Sequence, residues 1–326
     1  METSYLYETF NGLLRRPGAA RDDSYLNAPL YYMLTGRGQV RIHEGYGAVM
    51  AVCPHPQVDG RLLVFPEIGP GKGRLAASVL TELEAPSNGI QLARFTEEDI
   101  AGLKDALSMR NAGRIETIIK VEETAMDWRY PVHLLDTIKV GAMDGAAFAK
   151  IRNKCRQVAG TMAVQPLSEP GMLQAMRAAR KYWEGSMMMR GHFTDDMSGY
   201  YDTLFAMIAE WPHLFGGLVF LQGKRPVGFT VHDRPFNGTA NMFANISDAS
   251  ITGLADYQVV ATCRALGSTG TKSLNFGGSE TESLDLFKRK FLPHKTVTVY
   301  SAEPCYAFQR DRHVRSGLLQ AGLAPA

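Results

Sequence analysis

Six charged residues crowd one segment of the sequence, NFGGSETESLDLFKRKFLP, residues 275–293. The segment predicts a short strand, a tight turn through two glycines, and a helix. The charged residues that could do chemistry there are Glu280, Glu282, Lys288, Arg289 and Lys290. A carboxylate can take a proton from a nucleophile, and an ammonium group can stabilise an oxyanion or contact a phosphate. The segment therefore contains candidates for a general base and for cations that face an anionic group.

A helical projection at about 100° per residue separates the cations of this segment. The apolar seam of the projected helix consists of Leu284, Phe287 and Phe291. Asp285 and Arg289 project to the outer face, where they would form a local pair. Lys288 falls on the edge of the seam and Lys290 on its other flank, so we expect Lys288 above all to reach an anionic group. The alternative is an ordinary amphipathic helix whose lysines extend along its apolar face to solvent.

The start of the same helix offers a general base. Ser279 followed by Glu282 matches a capping box, in which both side chains bond to the first turn of the helix. Glu280 is not needed for such a cap. One interpretation is that Glu280 accepts the proton of an attacking nucleophile, and the other is that it only stabilises the helix dipole.

Length and composition indicate which elements must position these residues. The 326 residues suffice for two domains of about 150 residues each, and a hydrophobic content of 45% allows a sizeable core. The net charge of +2 is nearly balanced, and the four cysteines form no C-x-x-C pair. The N-terminus has no apolar signal segment, and the apolar runs are well short of the ~20 residues of a membrane span. We therefore expect a soluble, cytoplasmic protein with reduced cysteines.

Hydrophobic periodicity predicts the same order of elements twice. The second half predicts two helices, three strands, and then helix, strand, helix and strand, the last strand being KTVTVYSAE. The first half predicts three strands followed by helix, strand, helix and strand. A repeat with a spacing of about 150 residues suggests duplication. We expect an α+β fold with an N-terminal domain over residues 1–145, a C-terminal domain over 146–326, and a helix over 146–158 at the junction.

This order resembles two tandem domains of the Gcn5-related N-acetyltransferase (GNAT) fold, each a mixed, mainly antiparallel sheet flanked by helices. The chain is similar to the soluble aminoacyl-transferase domain (DUF2156-like) of lysyl- and alanyl-phosphatidylglycerol synthases, whose superfamily includes the Fem-type peptidyltransferases. The resemblance covers residues 125–303, and residues 30–120 by element order only. The features that carry it are Tyr130, Leu135, Asp136, Phe148, Lys150, Arg152, Asn153 and Arg156, and the segments GLVFLQGKRPVGF and LNFGGSETESLDLFKRKFLP.

The resemblance implies an acyltransferase that moves an aminoacyl group from aminoacyl-tRNA to a nucleophile by direct attack, without a covalent enzyme intermediate or a bound cofactor. No membrane module is visible in the sequence. We therefore expect a small soluble amine, hydroxylamine or hydroxyl acceptor, as in stand-alone relatives that serve natural-product biosynthesis, and neither DNA nor a membrane as partner. Two alternatives stay open, an acyl-CoA-dependent N-acyltransferase of the same fold and a non-catalytic relative that binds tRNA or peptide.

The resemblance covers the position of Lys288, and the helical projection adds Lys290 and the helix start adds Glu280. These three residues would be catalytic. The junction helix would contact the acceptor stem of tRNA, with Arg152 nearest the site and Asn153 fixing the local backbone. The substrate-binding residues on this basis are Lys150, Arg152, Asn153, Arg156 and Asn275. For the junction helix, a solvated basic face is the alternative.

Two loops complete the candidate residues. In EIGPGKGRLAAS, residues 67–78, the residues Gly71, Lys72 and Gly73 would hold a CoA pyrophosphate at a helix N-terminus, or form a plain loop. The matching junction of the second half contains only Gly253, which favours tRNA over CoA there.

In EGSMMMRGHF, residues 184–193, the methionines around Met188 would form an adaptable wall of the acceptor pocket. Arg190 and His192 would orient a polar group there, and core packing is the alternative for this segment. No metal-binding spacing occurs among the eight histidines, so we expect no metal.

Overall fold

The structure is a computed structural model that describes residues 3–16, 18–83, 88–109, 115–123, 126–189 and 195–306. Its α-helices are α1 (Thr3–Leu14), α2 (Pro29–Thr35), α3 (Arg74–Glu82), α4 (Glu97–Met109), α5 (Thr137–Ala142), α6 (Ala149–Ala159), α7 (Met172–Met189), α8 (Asp195–Glu210), α9 (Leu254–Ser268) and α10 (Glu282–Arg289). Its strands are β1 (Arg41–Gly45), β2 (Ala48–Pro54), β3 (Leu62–Val64), β4 (Ile90–Phe95), β5 (Ile115–Val121), β6 (Val132–Asp136), β7 (Ala163–Pro166), β8 (Phe215–Gln222), β9 (Arg225–Asp233), β10 (Thr239–Ser247), β11 (Ser273–Asn275), β12 (Lys295–Val297) and β13 (Tyr300–Tyr306).

The chain divides into two compact units, each built from separate segments. Unit 1 comprises residues 1–21, 39–124 and 299–326, and unit 2 comprises residues 22–38 and 125–298. Each unit contains one mixed sheet, and helices pack against it. Within the described residues, no helix has both the length and the apolar character needed to cross a membrane.

The sheet of unit 1 has the strand order β1-β2-β3-β4-β13-β5. Only the β3–β4 pair is parallel, and the other neighbours run antiparallel. Alternate residues of a strand face opposite sides of a sheet, so the inner face of this sheet can be covered by the amphipathic helices α3 and α4. Their apolar side chains, among them Leu75, Val79 and Leu103, form one core cluster with strand residues such as Val64 and Leu92.

The sheet of unit 2 has the strand order β12-β6-β11-β10-β9-β8-β7. Only β10 and β11 are parallel, and they pair over three positions that end at Asn241 and Asn275. Helices α6, α9 and α10 pack over the β6, β10 and β11 part of the sheet through a cluster that contains Ile151, Val260 and Phe291. The α+β class with mixed, mainly antiparallel sheets is therefore confirmed.

The last predicted strand, KTVTVYSAE, is two strands that join different sheets. β12 pairs with β6 in unit 2, and β13 lies between β4 and β5 in unit 1. β6, which precedes the expected boundary at residue 145, lies in the sheet of unit 2 between β11 and β12. The units thus differ from the expected single division into 1–145 and 146–326, because local periodicity identifies a strand but not the sheet in which it pairs.

Candidate active site

Two glycines after β11 bring three chain segments of unit 2 together. Gly277 has φ +73, and a Cβ atom there would lie 2.9 Å from the hydroxyl of Tyr25. A Cβ atom on Gly278 would lie 2.4 Å from the carbonyl oxygens of Asp127 and Tyr130. A Cβ atom at position 278 would meet fixed backbone oxygens, so this position requires glycine, whereas a Cβ atom at position 277 would displace Tyr25 or the turn. The turn from Gly277 to Glu280, which we call the Glu280 turn, is therefore held between the loop before β6 and the short 3₁₀ helix at residues 24–27.

The cap of α10 differs from the expected capping box. Thr281 is the N-cap residue, and its hydroxyl accepts a hydrogen bond from the amide of Leu284. Ser279 is fully buried and forms a β-bridge with Tyr130. Because this bridge keeps Ser279 in the interior, its hydroxyl is not at the helix start and has no hydrogen-bond partner among the described residues.

The buried face of α10 carries charge. Asp285 and Lys288 are buried, whereas the apolar Leu286 is 55% exposed. The expectation that Asp285 lies on the outer face is wrong, because its carboxylate Oδ1 lies 2.7 Å from Nε2 of the buried His133 on β6. The guanidinium of Arg289 reaches the other carboxylate oxygen only at 3.8 Å, from an exposed position. Burial of charged groups is costly, so their presence on this face suggests a functional role.

Lys288 points inward from the seam of α10. Its ammonium group donates a hydrogen bond to the carbonyl of Gly278 and lies 5.3 Å from the ring centre of Phe276. The side chain thus ties the last third of the helix to the Glu280 turn. The inward orientation agrees with the helical projection, and the catalytic role remains a prediction.

Glu280 has a half-buried side chain at the end of this turn. Burial raises the pKa of the Glu280 carboxyl, the negative charge of Asp127 raises it further, and the positive charge of Lys288 opposes both. A raised pKa makes the ionised carboxylate a stronger base, which favours uptake of a proton from a nucleophile. The geometry therefore suits a general base at this position.

Three further residues of unit 2 interact electrostatically with Glu280, and the sequence did not reveal them. Burial raises the pKa values of Tyr200 and Tyr201 on α8, and the charge of Glu280 adds to both shifts. The hydroxyl of Tyr200 donates to the carbonyl of Phe243 at 2.9 Å, and Asp127 lies in the loop before β6. Tyr200 and Tyr201 open the second predicted helix of the second half, and Asp127 belongs to no predicted element, so no local pattern distinguished them.

Lys290 lies on the opposite flank of α10 from Lys288. Its ammonium is 2.7 Å from the buried carboxylate of Asp256 on α9 and 3.8 Å from the ring centre of Phe287. Burial lowers the pKa of Lys290, and its pairing with Asp256 opposes that shift. Lys154 of α6 approaches the same carboxylate at 3.8 Å. The contacts of Lys290 therefore join α10 to α9, and none of those described is with the Glu280 turn.

The predicted substrate-binding residues occupy different places. The guanidinium of Arg152 donates to the carbonyls of Met143 and Gly145, so it joins α6 to the end of α5. Asn275 is fully buried, with its side-chain amide bonded to Asn241 and to the backbone of Gly277. The exposed residues of this group are Lys150, Asn153 and Arg156 on α6 and Met188 on α7. Arg190 and His192 lie outside the described residues, among which no group of His, Cys, Asp and Glu could hold a metal ion.

The loop at 67–78 already holds an anion of its own. The buried carboxylate of Glu67 accepts hydrogen bonds from the amides of Gly73, Leu75 and Ala76 at 2.8, 2.9 and 3.1 Å. A Cβ atom on Gly71 would lie 2.2 Å from this carboxylate. The N-terminal amides of α3, which would bind a pyrophosphate through Gly71, Lys72 and Gly73, are thus occupied by a side chain of the same unit.

The matching junction of unit 2, before α9, is also closely packed. Gly253 has φ +88, and a Cβ atom there would lie 3.1 Å from both the Cβ and the carbonyl oxygen of Lys154. The main chain of α6 therefore covers this helix N-terminus. Where β10 and β11 cease to pair, the hydroxyl of Tyr25 donates to the carbonyl of Met242.

Comparison with known proteins identifies the fold. No protein-family model matches the sequence. No curated protein matches it either. Among solved structures, a conserved protein of unknown function from Bacteroides thetaiotaomicron aligns with TM-score 0.70 at 14% identity, covering 94% of this chain and 98% of its own. The DUF2156 C-terminal domain of a putative lysylphosphatidylglycerol synthetase from Agrobacterium fabrum aligns with TM-score 0.60 at 13% identity, covering 98% of each chain.

A third structure, FemX, aligns with TM-score 0.59 at 8% identity, covering 96% of this chain and 98% of FemX. The resemblance to the phosphatidylglycerol synthase domains and to the Fem-type proteins is therefore confirmed at the level of the fold, as are the two GNAT domains.

Proposed function

We propose that unit 2 transfers an aminoacyl group from aminoacyl-tRNA to a nucleophilic acceptor, with Glu280 as the general base. The observation that carries this proposal is the position of Glu280, half-buried between the charges of Asp127 and Lys288 with a raised pKa. The fold shared with a putative lysylphosphatidylglycerol synthetase and with FemX supports a transferase of the acyl or aminoacyl type.

The reaction requires one proton acceptor and no covalent intermediate. The acceptor attacks the ester carbonyl of the aminoacyl group, and its proton passes to Glu280. The bond from the acceptor to the carbonyl carbon forms, and the ester bond to the terminal ribose of the tRNA breaks. Glu280 returns the proton to the leaving hydroxyl. Lys288 holds the Glu280 turn through the carbonyl of Gly278 and supplies a positive charge to the developing oxyanion.

Packing at both helix N-termini supports tRNA over acyl-CoA as donor. Glu67 occupies the amides of α3, and the main chain of Lys154 covers the start of α9. A CoA pyrophosphate would need free amides at such a position. A tRNA instead needs exposed cations for its phosphates, and Lys150 and Arg156 on α6 provide them.

The acceptor that we propose is a small soluble amine, hydroxylamine or hydroxyl compound. The half-buried carboxyl of Glu280, with Tyr200 and Tyr201 close to it, suits a compact nucleophile. If the acceptor is soluble, vesicles of phosphatidylglycerol should not be aminoacylated. Aminoacylation of those vesicles would instead assign a lipid acceptor.

The test uses a pool of charged tRNAs and a panel of amines, and it follows which aminoacyl ester disappears. We expect turnover that stops with RNase, needs no acyl-CoA, and weakens steeply with salt because phosphate contacts release counterions. Glu280→Gln should lower the rate by about 10²–10⁴. Glu282→Gln, an exposed carboxyl on the same helix start, is the matched control and should keep the rate. RNase-resistant transfer from acetyl-CoA, or equal rates for both variants, would contradict the proposal.

A further inference from the structure

A buried chain of hydrogen bonds connects Asp233 at the end of β9 to the Glu280 turn. The two carboxylate oxygens of Asp233 accept from the backbone amide and from the side-chain amide of Asn241, each at 2.7 Å. The side-chain oxygen of Asn241 accepts from Asn275 at 3.1 Å, and the side-chain oxygen of Asn275 accepts from the amide of Gly277 at 2.8 Å. The hydroxyl of Ser24 also donates to Asn241, at 2.8 Å.

All members of this chain lie inside unit 2. Asp233 is 5% exposed, Asn241 3% and Asn275 0%. None of the ion pairs found among the described residues includes Asp233. A buried carboxylate that faces only amides is expensive, so packing alone does not explain its presence.

The chain has a direction that Asp233 determines. An ionised carboxylate can only accept hydrogen bonds, so the side-chain NH₂ of Asn241 must point towards it. The oxygen of Asn241 then faces Asn275, whose NH₂ donates to it. As a result, the oxygen of Asn275 faces the amide of Gly277. Reversing the amide of Asn241 would set its NH₂ against the NH₂ of Asn275, two residues before the Glu280 turn begins at Gly277.

We propose that Asp233 is a positioning residue for Glu280, acting through Asn241, Asn275 and the amide of Gly277. The effect of Asp233 on catalysis rests on the proposed function. The hydrogen-bond connection from Asp233 to Gly277 does not depend on that function. A misplacement of a reacting group by about 1 Å can cost a factor of about 100 in rate, so the direction of four hydrogen bonds bears directly on catalysis.

The protonation state of Asp233 adds a second readout. Burial raises the pKa of Asp233 to about 7, and the hydrogen bonds from Asn241 oppose that shift. A protonated carboxyl carries one hydroxyl donor, so it accepts from the NH₂ of Asn241 less strongly than the carboxylate does. Asp233 faces the uncharged side chain of Asn241. Its neighbour on β9, His232, places a ring nitrogen 2.7 Å from the backbone oxygen of Asp233, and burial lowers the pKa of His232.

The experiment compares a variant that removes the carboxylate from the chain with a variant that moves it from position 233 to position 241. Asp233→Asn places a donor opposite the NH₂ of Asn241 and breaks the direction of the chain. The double variant Asp233→Asn with Asn241→Asp restores it, because Asn at 233 then donates to Asp at 241, which still accepts from Ser24 and Asn275. Asp248→Asn is the control, since that carboxylate pairs with Arg225 and lies outside the chain.

Hydrogen exchange of the Gly277 amide is measured by NMR, independently of any substrate. We expect Asp233→Asn to accelerate this exchange by about tenfold or more, with the double variant and Asp248→Asn within about threefold of the wild type. Unchanged exchange in Asp233→Asn would overturn the inference, as would equal acceleration in the double variant. If Asp233→Asn does not fold, the double variant still tests the inference. A directional chain predicts that the double variant folds and protects the amide of Gly277 from exchange.

Transfer kinetics test the catalytic half. We expect Asp233→Asn to lower kcat by about tenfold with KM within about twofold. We also expect the kcat of the wild type to rise with pH near 7, and this rise to be absent in Asp233→Asn. Recovery of kcat in the double variant supports a positioning role. Accelerated exchange with unchanged kcat and pH profile would overturn that role. Accelerated exchange in a protein whose wild type transfers no aminoacyl group would overturn the proposed function and leave the hydrogen-bond chain standing.

Discussion

At the scale of residues, the most unusual feature of this chain is that α10 buries its charges. Asp285 pairs with His133, and Lys288 binds the carbonyl of Gly278, while Leu286 faces solvent. The helix also packs Phe287 and Phe291 into the core, so the two buried charges flank an apolar seam. Burying them costs desolvation, and Lys288 meets part of that cost by binding the Glu280 turn.

The first prediction compares two neighbouring cations of this helix. Lys288→Ala removes the ammonium bound to Gly278, and we expect transfer to fall by a factor of about 10²–10³. It should also destabilise unit 2 by about 1–3 kcal/mol, because a buried carbonyl loses its partner. Arg289→Ala removes an exposed group 3.8 Å from its carboxylate, so the rate should hardly change. Steady-state kinetics and urea denaturation measure both, and a silent Lys288→Ala would refute the site assignment.

The second prediction concerns the pH dependence of stability. The pKa of Asp233 is raised from 3.8 to about 7 in the folded chain. Below about pH 4 the carboxyl is protonated in both states, and between about 4 and 7 only the unfolded state loses the proton. The stability due to this group is therefore present at low pH and is lost as pH rises to about 7.

Urea denaturation of the wild type and of Asp233→Asn across this range isolates the effect. The free energy of unfolding of the wild type should decline relative to the variant by an amount on the order of a few kcal/mol. If the difference in free energy of unfolding between the two proteins does not change with pH, the carboxyl of Asp233 has the same pKa in the folded and unfolded chains.

At the scale of elements, the approach of the 3₁₀ helix to the turn after β11 explains why glycine is favoured at position 277. The backbone of Gly277 is in the left-handed region, and the hydroxyl of Tyr25 occupies the space of a Cβ atom. Gly270, after α9, has φ +82 but no atom within 4 Å of a Cβ position. Substituting Gly270 therefore measures the free-energy cost of the backbone conformation alone. Substituting Gly277 adds the cost of the contact with Tyr25.

The third prediction follows from this pair. Gly270→Ala should lower the free energy of unfolding by about 1 kcal/mol, through backbone strain alone. Gly277→Ala should lower the free energy of unfolding by about 1–3 kcal/mol more than Gly270→Ala does, because Tyr25 or the turn must move. Chemical denaturation of both variants measures the difference. Equal losses would mean that Tyr25 yields without cost and does not hold the turn.

At the scale of the whole molecule, the C-terminal strands tie each sheet to a distant part of the chain. β12 completes one edge of the sheet of unit 2, and β13 lies between β4 and β5 in unit 1. Unit 1 therefore depends on a segment that follows the whole of unit 2 in sequence. Such non-local pairing is slow to form. Until β13 has paired, β4 and β5 lack the strand that lies between them in the sheet.

The fourth prediction places a charge in this strand. Ala302 on β13 is fully buried in the core of unit 1, so Ala302→Asp should open β4 and β5. Hydrogen exchange by mass spectrometry should show faster exchange in those strands while β9 and β10 stay protected. Thr298→Asp, an exposed position just before β13, is the control and should leave both sheets unchanged. Equal acceleration in both sheets would show that the two units open together.

Local periodicity was sufficient to predict most elements and their order. The apolar seam Leu284, Phe287 and Phe291 defined the phase of α10 well enough to turn Lys288 inward. The repeated order of strands and helices predicted two α+β domains, and the matched segments led to the fold. These properties depend on residues close in sequence, which the sequence displays directly.

Tertiary structure decided the partners of those residues. Asp285 meets His133 across 152 residues, Ser24 meets Asn241 across 217, and Thr281 rather than Ser279 caps α10 because a β-bridge to Tyr130 buries the serine. The sequence by itself determined the elements, their amphipathic faces and the candidate charges of the Glu280 turn. Only the three-dimensional packing determined which sheet β6 and β13 join and which groups face Glu280, because strand pairing and burial depend on long-range contacts that no local pattern encodes.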